Sequence, residues 1–453
     1  MKLIAFAIAV VLVLVLAEVH ANYDYGEALL KSLVFYQAQR SGRLYGMHEL
    51  ASWRKDSALN DRGQNGEDLT GGYYDAGDFV KFGYPMAYTV TVLAWSAIDY
   101  EEGYNRINWL DEARNAVRWG TDYFLKAHVS KNELYVQVGD VTADHAYWGR
   151  PEDMTMARPA LKIDAAHPGS DAAAETAAAL AAASIVFRRA GDAAYADLLL
   201  QHAKDLFSFA DTYRGKYSDS IGTENYVSND YTDELVWGAI WLYRASNDGQ
   251  YLAKAEKYYT DYGIQYRNGF GWMEKSLGAT ALLLKLTNGD LYRNVLENFC
   301  NNLVYNQKRT PKGLVYIGLW GSLRQAFDPT FICMKAADEG INPDTYRNFA
   351  KSQIDYALGS TGRSFVVGFG NNPPTHEHHR AASCPDAPAP CNYGVTYWGT
   401  QPNYHVLYGA LVGGPDENDG YTDDRNNFEQ NEVACDYNAA YQGVLAGLKA
   451  LGY

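Results

Sequence analysis

Residues 342–359 read NPDTYRNFAKSQIDYALG. Asn342 is placed to cap a helix, and Pro343 fills its first position, where a missing N–H costs nothing. Tyr346, Phe349, Ala350, Ile354, Ala357 and Leu358 fall on one stripe at helical spacing, and Gly359 is a stop signal. The segment therefore predicts an amphipathic helix with one buried face. The same period recurs near 26–41, 85–101, 108–128, 193–211, 232–246, 249–262, 275–287 and 289–305. The Ala-rich run Asp171–Arg189 is a strong helix former. Asp328-Pro329 reads as the opening of another helix ending near Gly340. At the C-terminus Tyr441, Val444, Leu445, Leu448 and Leu451 repeat at 3, 4 and 7. Short alternating runs such as Leu134–Val138 predict minor strands.

Roughly a dozen helices follow from this pattern count. The 453 residues would suit about three average domains. No Pro/Ser/Thr linker or composition break divides them, so the expectation is one large all-α domain. No fixed period repeats, which argues against a solenoid. The connecting loops are rich in Gly, Asp, Trp and Tyr, and such loops carry function.

Charge narrows the partners. Asp and Glu number 54 against 39 Lys and Arg, a net charge of −15. Such a chain repels phosphate backbones and anionic lipid, so neither nucleic acid nor a membrane surface is an expected partner. Aromatic residues make up 14% of the chain, and 37 of them are tyrosines. Tyr offers a flat face and a polar tip, suited to a flat, uncharged ligand.

Lys2 precedes an apolar run from Leu3 to Ala17, too short for the ~20 residues of a membrane span. With Val19-His20-Ala21 behind it, residues 1–21 read as a secretory signal peptide, leaving a mature chain over 22–453. No later segment is read as long and apolar enough to span a bilayer. A secreted, extracellular chain can hold disulfides. Of Cys300, Cys333, Cys384, Cys391 and Cys435, the pair Cys384 and Cys391 flanks a Pro-rich stretch that a bridge would staple. The odd count leaves a thiol free. No zinc-ribbon spacing is present.

Four polar strings carry chemistry. In Asp68–Phe79, Asp75 and Asp78 lie three apart around Gly77; like charges this close raise one pKa of the pair, and the other can activate water. Aspartates that merely cap loop amides are the plainer reading. An aspartic protease needs an all-β fold and two such loops. Asn431–Asn438 holds Glu432, either a general acid or a first-turn glutamate favoured by the helix dipole. Thr375–Arg380 holds three histidines without a catalytic zinc signature; ligand hydrogen bonding is favoured over metal. Asp230–Glu234 clusters oxygen donors that suit either Ca²⁺ or an acidic helix start.

Together these strings resemble glycoside hydrolase family 9, the inverting cellulases, and in particular animal endoglucanases of the termite and cockroach type. The resemblance runs through DLTGGYYDAGDFVKF (68–82), YVQVGDVTADH (135–145), DELVWG (233–238), the GFGNNPP region (362–380) and the stretch ending NEVACDYN (413–438). It implies an (α/α)6 barrel and a monomeric endo-β-1,4-glucanase acting on cellulose. It makes Asp78 the base that activates water, Asp75 its helper in holding that water, and Glu432 the acid. It further implies substrate contacts from His145, Trp148, Trp320, His378, Arg380 and Tyr437. Calcium in the family sits at the DEL motif, which points to Asp233 and Glu234, with Asn229 or Asp230 adding oxygen. Here Trp272 is followed by Met273-Glu274 where relatives carry a further acidic ligand, leaving calcium weakened, shifted to Glu274 or absent. Glu377 stands where the family has Pro, and His376 is an extra histidine. No cellulose-binding module is visible. Two other readings stand beside this one: an (α/α)6 glycosidase for another β-glucan, and a non-catalytic carbohydrate-binding protein.

Overall fold

The computed structural model describes residues 23–453. The leader expected over residues 1–21 lies outside the described residues. Twelve long helices dominate: α1 Tyr25–Ala38, α2 Gly83–Asp99, α3 Leu110–Ala127, α4 Ser170–Arg189, α5 Ala193–Thr212, α6 Thr232–Ser246, α7 Gly249–Asp261, α8 Ser276–Thr287, α9 Asp290–Tyr305, α10 Ser322–Asp338, α11 Pro343–Leu358 and α12 Cys435–Ala450.

The even-numbered helices pack in a closed ring, each against the next and α12 back against α2; each odd-numbered helix covers one of them from outside. This is the (α/α)6 barrel. Sequence pattern separates the two layers. Outer α11 buries the stripe Tyr346, Phe349, Ala350, Ile354, Ala357 and Leu358, as an amphipathic helix should. Inner helices are buried nearly all round. Ala-rich α4 has the length and the mean hydropathy, 1.2, of a membrane span, contrary to the expectation from sequence, but 94% of its apolar window is buried inside the protein. Alanines let its neighbours approach closely.

Aromatic rings fill the axis. Trp95 meets Trp237, Trp241 and Phe331 edge to face at centroid distances of 5.6, 5.9 and 5.2 Å, a favoured geometry. Beside them Lys275 lies between Glu175 (3.2 Å) and Glu234 (3.3 Å), all fully buried. Tyr84 donates to Glu234 at 2.5 Å and Thr91 to Glu175 at 3.1 Å. Removing one partner of such a set strands a buried charge and costs about 3–5 kcal/mol.

Two sequence expectations are corrected. Asp328-Pro329 does not start a helix: α10 begins at Ser322 and Pro329 lies inside it. Pro loses one backbone bond there, and burial of the helix between α12 and α11 outweighs that loss. Asn342 does not cap α11 with its side chain; it adopts a left-handed backbone, φ 42°, and its amide turns to Glu297 at 3.3 Å. A small antiparallel sheet sits at one end of the barrel. Strand β3 (Glu133–Val138) pairs with β1 (Lys81–Phe82), β2 (His128–Ser130) and β4 (Ala160–Ile163). It pins the loop that leads into α2.

Disulfides join Cys384 to Cys391 and Cys300 to Cys333, and Cys435 is a buried thiol. The second bridge ties α9 to α10.

Candidate active site

Segments that enter the inner helices converge at one end of the barrel. They line a cleft of about 830 Å³ with Asp75, Asp78 and Phe82 before α2, Tyr226 before α6, Trp272 before α8, Trp320 before α10 and Glu432 before α12. His145, Trp148, His378, Arg380 and Tyr437 line it as well. The structure thus gathers the three carboxylates and all six residues proposed as sugar contacts.

Backbone bonds hold the two acidic strings together. Cys435 N–H donates to Asp75 O at 2.9 Å, and His378 N–H to Asn431 O at 2.8 Å. Arg380 N–H donates to Gly77 O at 3.2 Å. A Cβ on Gly77 would meet His378 O at 2.2 Å, so glycine is required for this close approach.

The carboxylates are buried yet differ in environment. Burial alone would raise Asp78, but the neighbouring His145 imidazole, the charge of Arg380 and the Ala76 amide together hold it below the usual aspartate range. His145 Nε2 stands 3.8 Å from its Oδ2, and Ala76 N–H donates to its Oδ1 at 3.2 Å. Burial, followed by repulsion from Asp78 and Asp436, pushes Asp75 well up, against a hydrogen bond donated by the Tyr226 hydroxyl. Two like charges side by side split in this way: one keeps its proton and one stays ionised. Glu432 is pushed up to about 7, chiefly by burial and then by Asp78 and Asp436, although Trp320 and Tyr437 donate to it. Trp320 Nε1 lies 2.8 Å and Tyr437 Oη 3.3 Å from Glu432 Oε2. An ionised base beside an acid that keeps its proton up to near neutrality is what acid–base hydrolysis needs.

The remaining candidates divide. Trp320 is 51% exposed and lines the cleft. Trp148 is buried and stands edge-on to His378 at 5.3 Å; its indole N–H donates to Ser383 at 3.0 Å. His378 Nδ1 bonds Arg425 O at 2.6 Å, which orients its ring; burial lowers its pKa to about 4, so it is neutral. Arg380 is mostly buried and its guanidinium binds the Asp144 carboxylate. It acts on the cleft mainly as fixed positive charge. The three histidines diverge: His376 faces Asp423 and Thr375, while His379 bonds Gln39 at 2.8 Å in the core.

Several cleft residues were not read from the sequence, Tyr226, Trp272, Arg324, Tyr393, Tyr397 and Asp436, nor was Asp144, which is buried behind the cleft and binds Arg380. Asp144 lies within the quoted 135–145 string, and Asp436 follows Glu432 closely. Nothing local marks Tyr226. Arg324 neutralises Asp436 (3.5 Å) and Asp328 (3.3 Å).

The expected calcium ligands do not form a cage. Glu234 points inward to Tyr84 and Lys275. Asn229 faces the Met273 sulfur at 3.2 Å. Asp233 Oδ2 accepts the Lys275 amide at 2.6 Å, and Asp230 and Asp233 both contact Arg267. Among the described residues, the one group of three His, Cys, Asp or Glu side chains with donor atoms within 4.8 Å of each other is Asp78, Asp144 and His145, at the cleft wall with Asp144 buried behind it.

The chain is similar to known proteins over nearly its whole length. Residues 25–445 match the family model for glycosyl hydrolase family 9. The solved endoglucanase of the termite Nasutitermes takasagoensis is 60% identical, with a TM-score of 0.94, covering 95% of this chain and 100% of that one. A cellulase of C. cellulolyticum solved in complex with cellobiose is 35% identical, TM-score 0.86, covering 95% and 99%. Endoglucanase B of Cellulomonas fimi is 48% identical over 94% of this chain, which spans 42% of that longer protein. Barrel, cleft and sequence agree, and the chain belongs to glycosyl hydrolase family 9.

Proposed function

We infer that this protein is an endo-β-1,4-glucanase that hydrolyses internal bonds of cellulose with inversion at the anomeric carbon. One observation carries the reading: an aromatic-lined cleft holds Asp78 kept ionised and Glu432 raised toward neutrality so that it holds its proton in mildly acidic solution. The similar endoglucanases, and a similar cellulase solved with cellobiose, support the substrate class.

In this mechanism Asp78 takes a proton from water, whose oxygen attacks the anomeric carbon. Asp75, held by Tyr226, orients that water. Glu432 gives its proton to the glycosidic oxygen as the bond to the leaving sugar breaks. Inversion needs acid and base carboxyls on opposite sides of the sugar, typically about 6.5–9.5 Å apart, leaving room for water. Trp320 and Tyr437 offer faces and edges to sugar C–H groups while hydrogen-bonding Glu432.

Secretion is part of the proposal. It rests on the apolar leader and is supported by two disulfides, which persist in oxidising compartments. A monomer suffices, since every cleft residue comes from one chain.

The deciding experiment follows the first product from a cello-oligosaccharide by NMR. The α-anomer is expected; the β-anomer would overturn inversion. A panel of carboxymethylcellulose and lichenan separates the cellulase reading from another β-glucanase. Oligosaccharide binding with no reducing sugar released would favour a non-catalytic binding protein.

A further inference from the structure

We propose that Arg267 is a resident counter-ion that replaces a divalent metal beside α6 and holds one wall of the cleft without calcium. The guanidinium sits among oxygen donors from two segments. Its Nη2 contacts Asp230 Oδ2 and donates to Thr232 Oγ1 at 2.8 Å. Its Nη1 lies 3.4 Å from Asp233 Oδ1 and 3.8 Å from Glu274 Oε2. Three carboxylates from residues 230–233 and 274 therefore converge on one fixed cation.

A planar guanidinium with a rigid fork of donors suits this task. Calcium would need six to eight oxygens at about 2.3–2.6 Å. The oxygens here are already committed: Asp230 Oδ1 accepts the Tyr231 amide at 2.8 Å and Asp233 Oδ2 the Lys275 amide at 2.6 Å. Glu274 Oε1 accepts the Ser276 amide at 3.0 Å. Met273 presents a thioether in the same loop, and sulfur is a poor partner for a hard cation.

The position matters to the site. Asp230–Asp233 lies just after the segment that carries Tyr226, and Arg267–Glu274 carries Trp272. Those two rings meet edge to face at 4.8 Å in the cleft, and Tyr226 donates to Asp75. Arg267 bridges the segments that bear them, so it is a positioning residue for that wall.

The test uses the full protein, purified metal-free, with calcium chloride and EDTA as probes. Wild type is expected to show the same Tm and the same rate on carboxymethylcellulose with EDTA as with millimolar calcium, and no calcium-binding heat by calorimetry. Arg267→Ala is expected to melt roughly 2 °C or more lower in EDTA, to bind calcium with measurable heat, and to regain Tm when calcium is added. A fall in wild-type Tm on chelation would overturn the proposal, as would an Arg267→Ala protein that melts like wild type in EDTA. Should the variant not fold, the wild-type chelation and calorimetry results decide alone.

Discussion

The Trp320 indole N–H donates to Glu432 Oε2 at 2.8 Å while its ring stays half exposed. One side chain thus touches both the acid and the space a sugar would occupy. A donor to a carboxyl favours the ionised form, so this bond pulls Glu432 down against the upward push of burial. Trp320→Phe keeps a ring and removes the donor. The Glu432 pKa then rises, and the basic limb of the kcat/KM profile moves to higher pH by about 1 unit or less. A limb that moves to lower pH would contradict this role.

The pH profile of the unmodified enzyme follows from two opposed shifts. An acid must hold its proton, so activity is present below the Glu432 pKa and is lost as pH rises through about 7. A base must be ionised, so activity is present above the Asp78 pKa and is lost only as pH falls below the usual aspartate range. The expected bell is therefore broad on its acid side. Glu432→Gln should remove the basic limb and lower kcat about 10²–10⁴-fold. Steady-state rates across pH on a soluble cello-oligosaccharide read both.

Tyr226→Phe deletes the donor to Asp75 and leaves the ring packed on Trp272. Asp75 then loses its orientation and its pKa rises further. A fall in kcat of roughly tenfold, matching one lost hydrogen bond to a charged or proton-sharing group, is expected with KM little changed. An unchanged kcat would show that Asp75 needs no such support.

Gly77→Ala forces a methyl group to within 2.2 Å of His378 O. Neither backbone can yield without shifting the Asp75–Asp78 loop against the strand-like stretch leading to Arg380. Overpacking of this kind costs about 1–3 kcal/mol, and a displacement of about 1 Å in a catalytic group can cost about 10²-fold in rate. Thermal melting and kcat, measured together, test both consequences.

The two disulfides should differ in worth. Cys300–Cys333 closes a separation of 33 residues and Cys384–Cys391 one of 7. Chain-entropy arguments assign about 3.7 kcal/mol to the first and about 2.4 to the second. Replacing Cys300 and Cys333 by Ser should therefore lower the melting temperature more than replacing the other pair, with kcat little changed in either. Equal losses would show that loop entropy does not govern them.

Tyrosine content pointed toward a sugar site only in part. Tyr226, Tyr393, Tyr397 and Tyr437 do line the cleft. Others are framework: Tyr84 binds Glu234, Tyr88 binds Asp328 at 3.0 Å, Tyr100 binds Asp338 at 2.7 Å and Tyr25 binds Asp355 at 2.5 Å. In an acidic chain a buried Tyr hydroxyl satisfies a carboxylate while its ring fills the core. Composition cannot separate that use from ligand stacking.

Local pattern alone determined the helices, because a 3.6-residue apolar period needs no partner to be read; the stripe on 342–359 is buried as its spacing predicts. The strings that meet in the cleft were legible too, since Asp75, Asp78 and Glu432 each sit in a recognisable run. Tertiary structure decided what depends on neighbours distant in the chain. It placed Glu432 beside Trp320, let Pro329 stay inside α10, paired Cys300 with Cys333 across two helices, and set Arg267 among three carboxylates. Periodicity reports which side of a segment is apolar, whereas pKa, pairing and ion occupancy depend on which atoms lie within a few ångströms, and only the closed barrel fixes that.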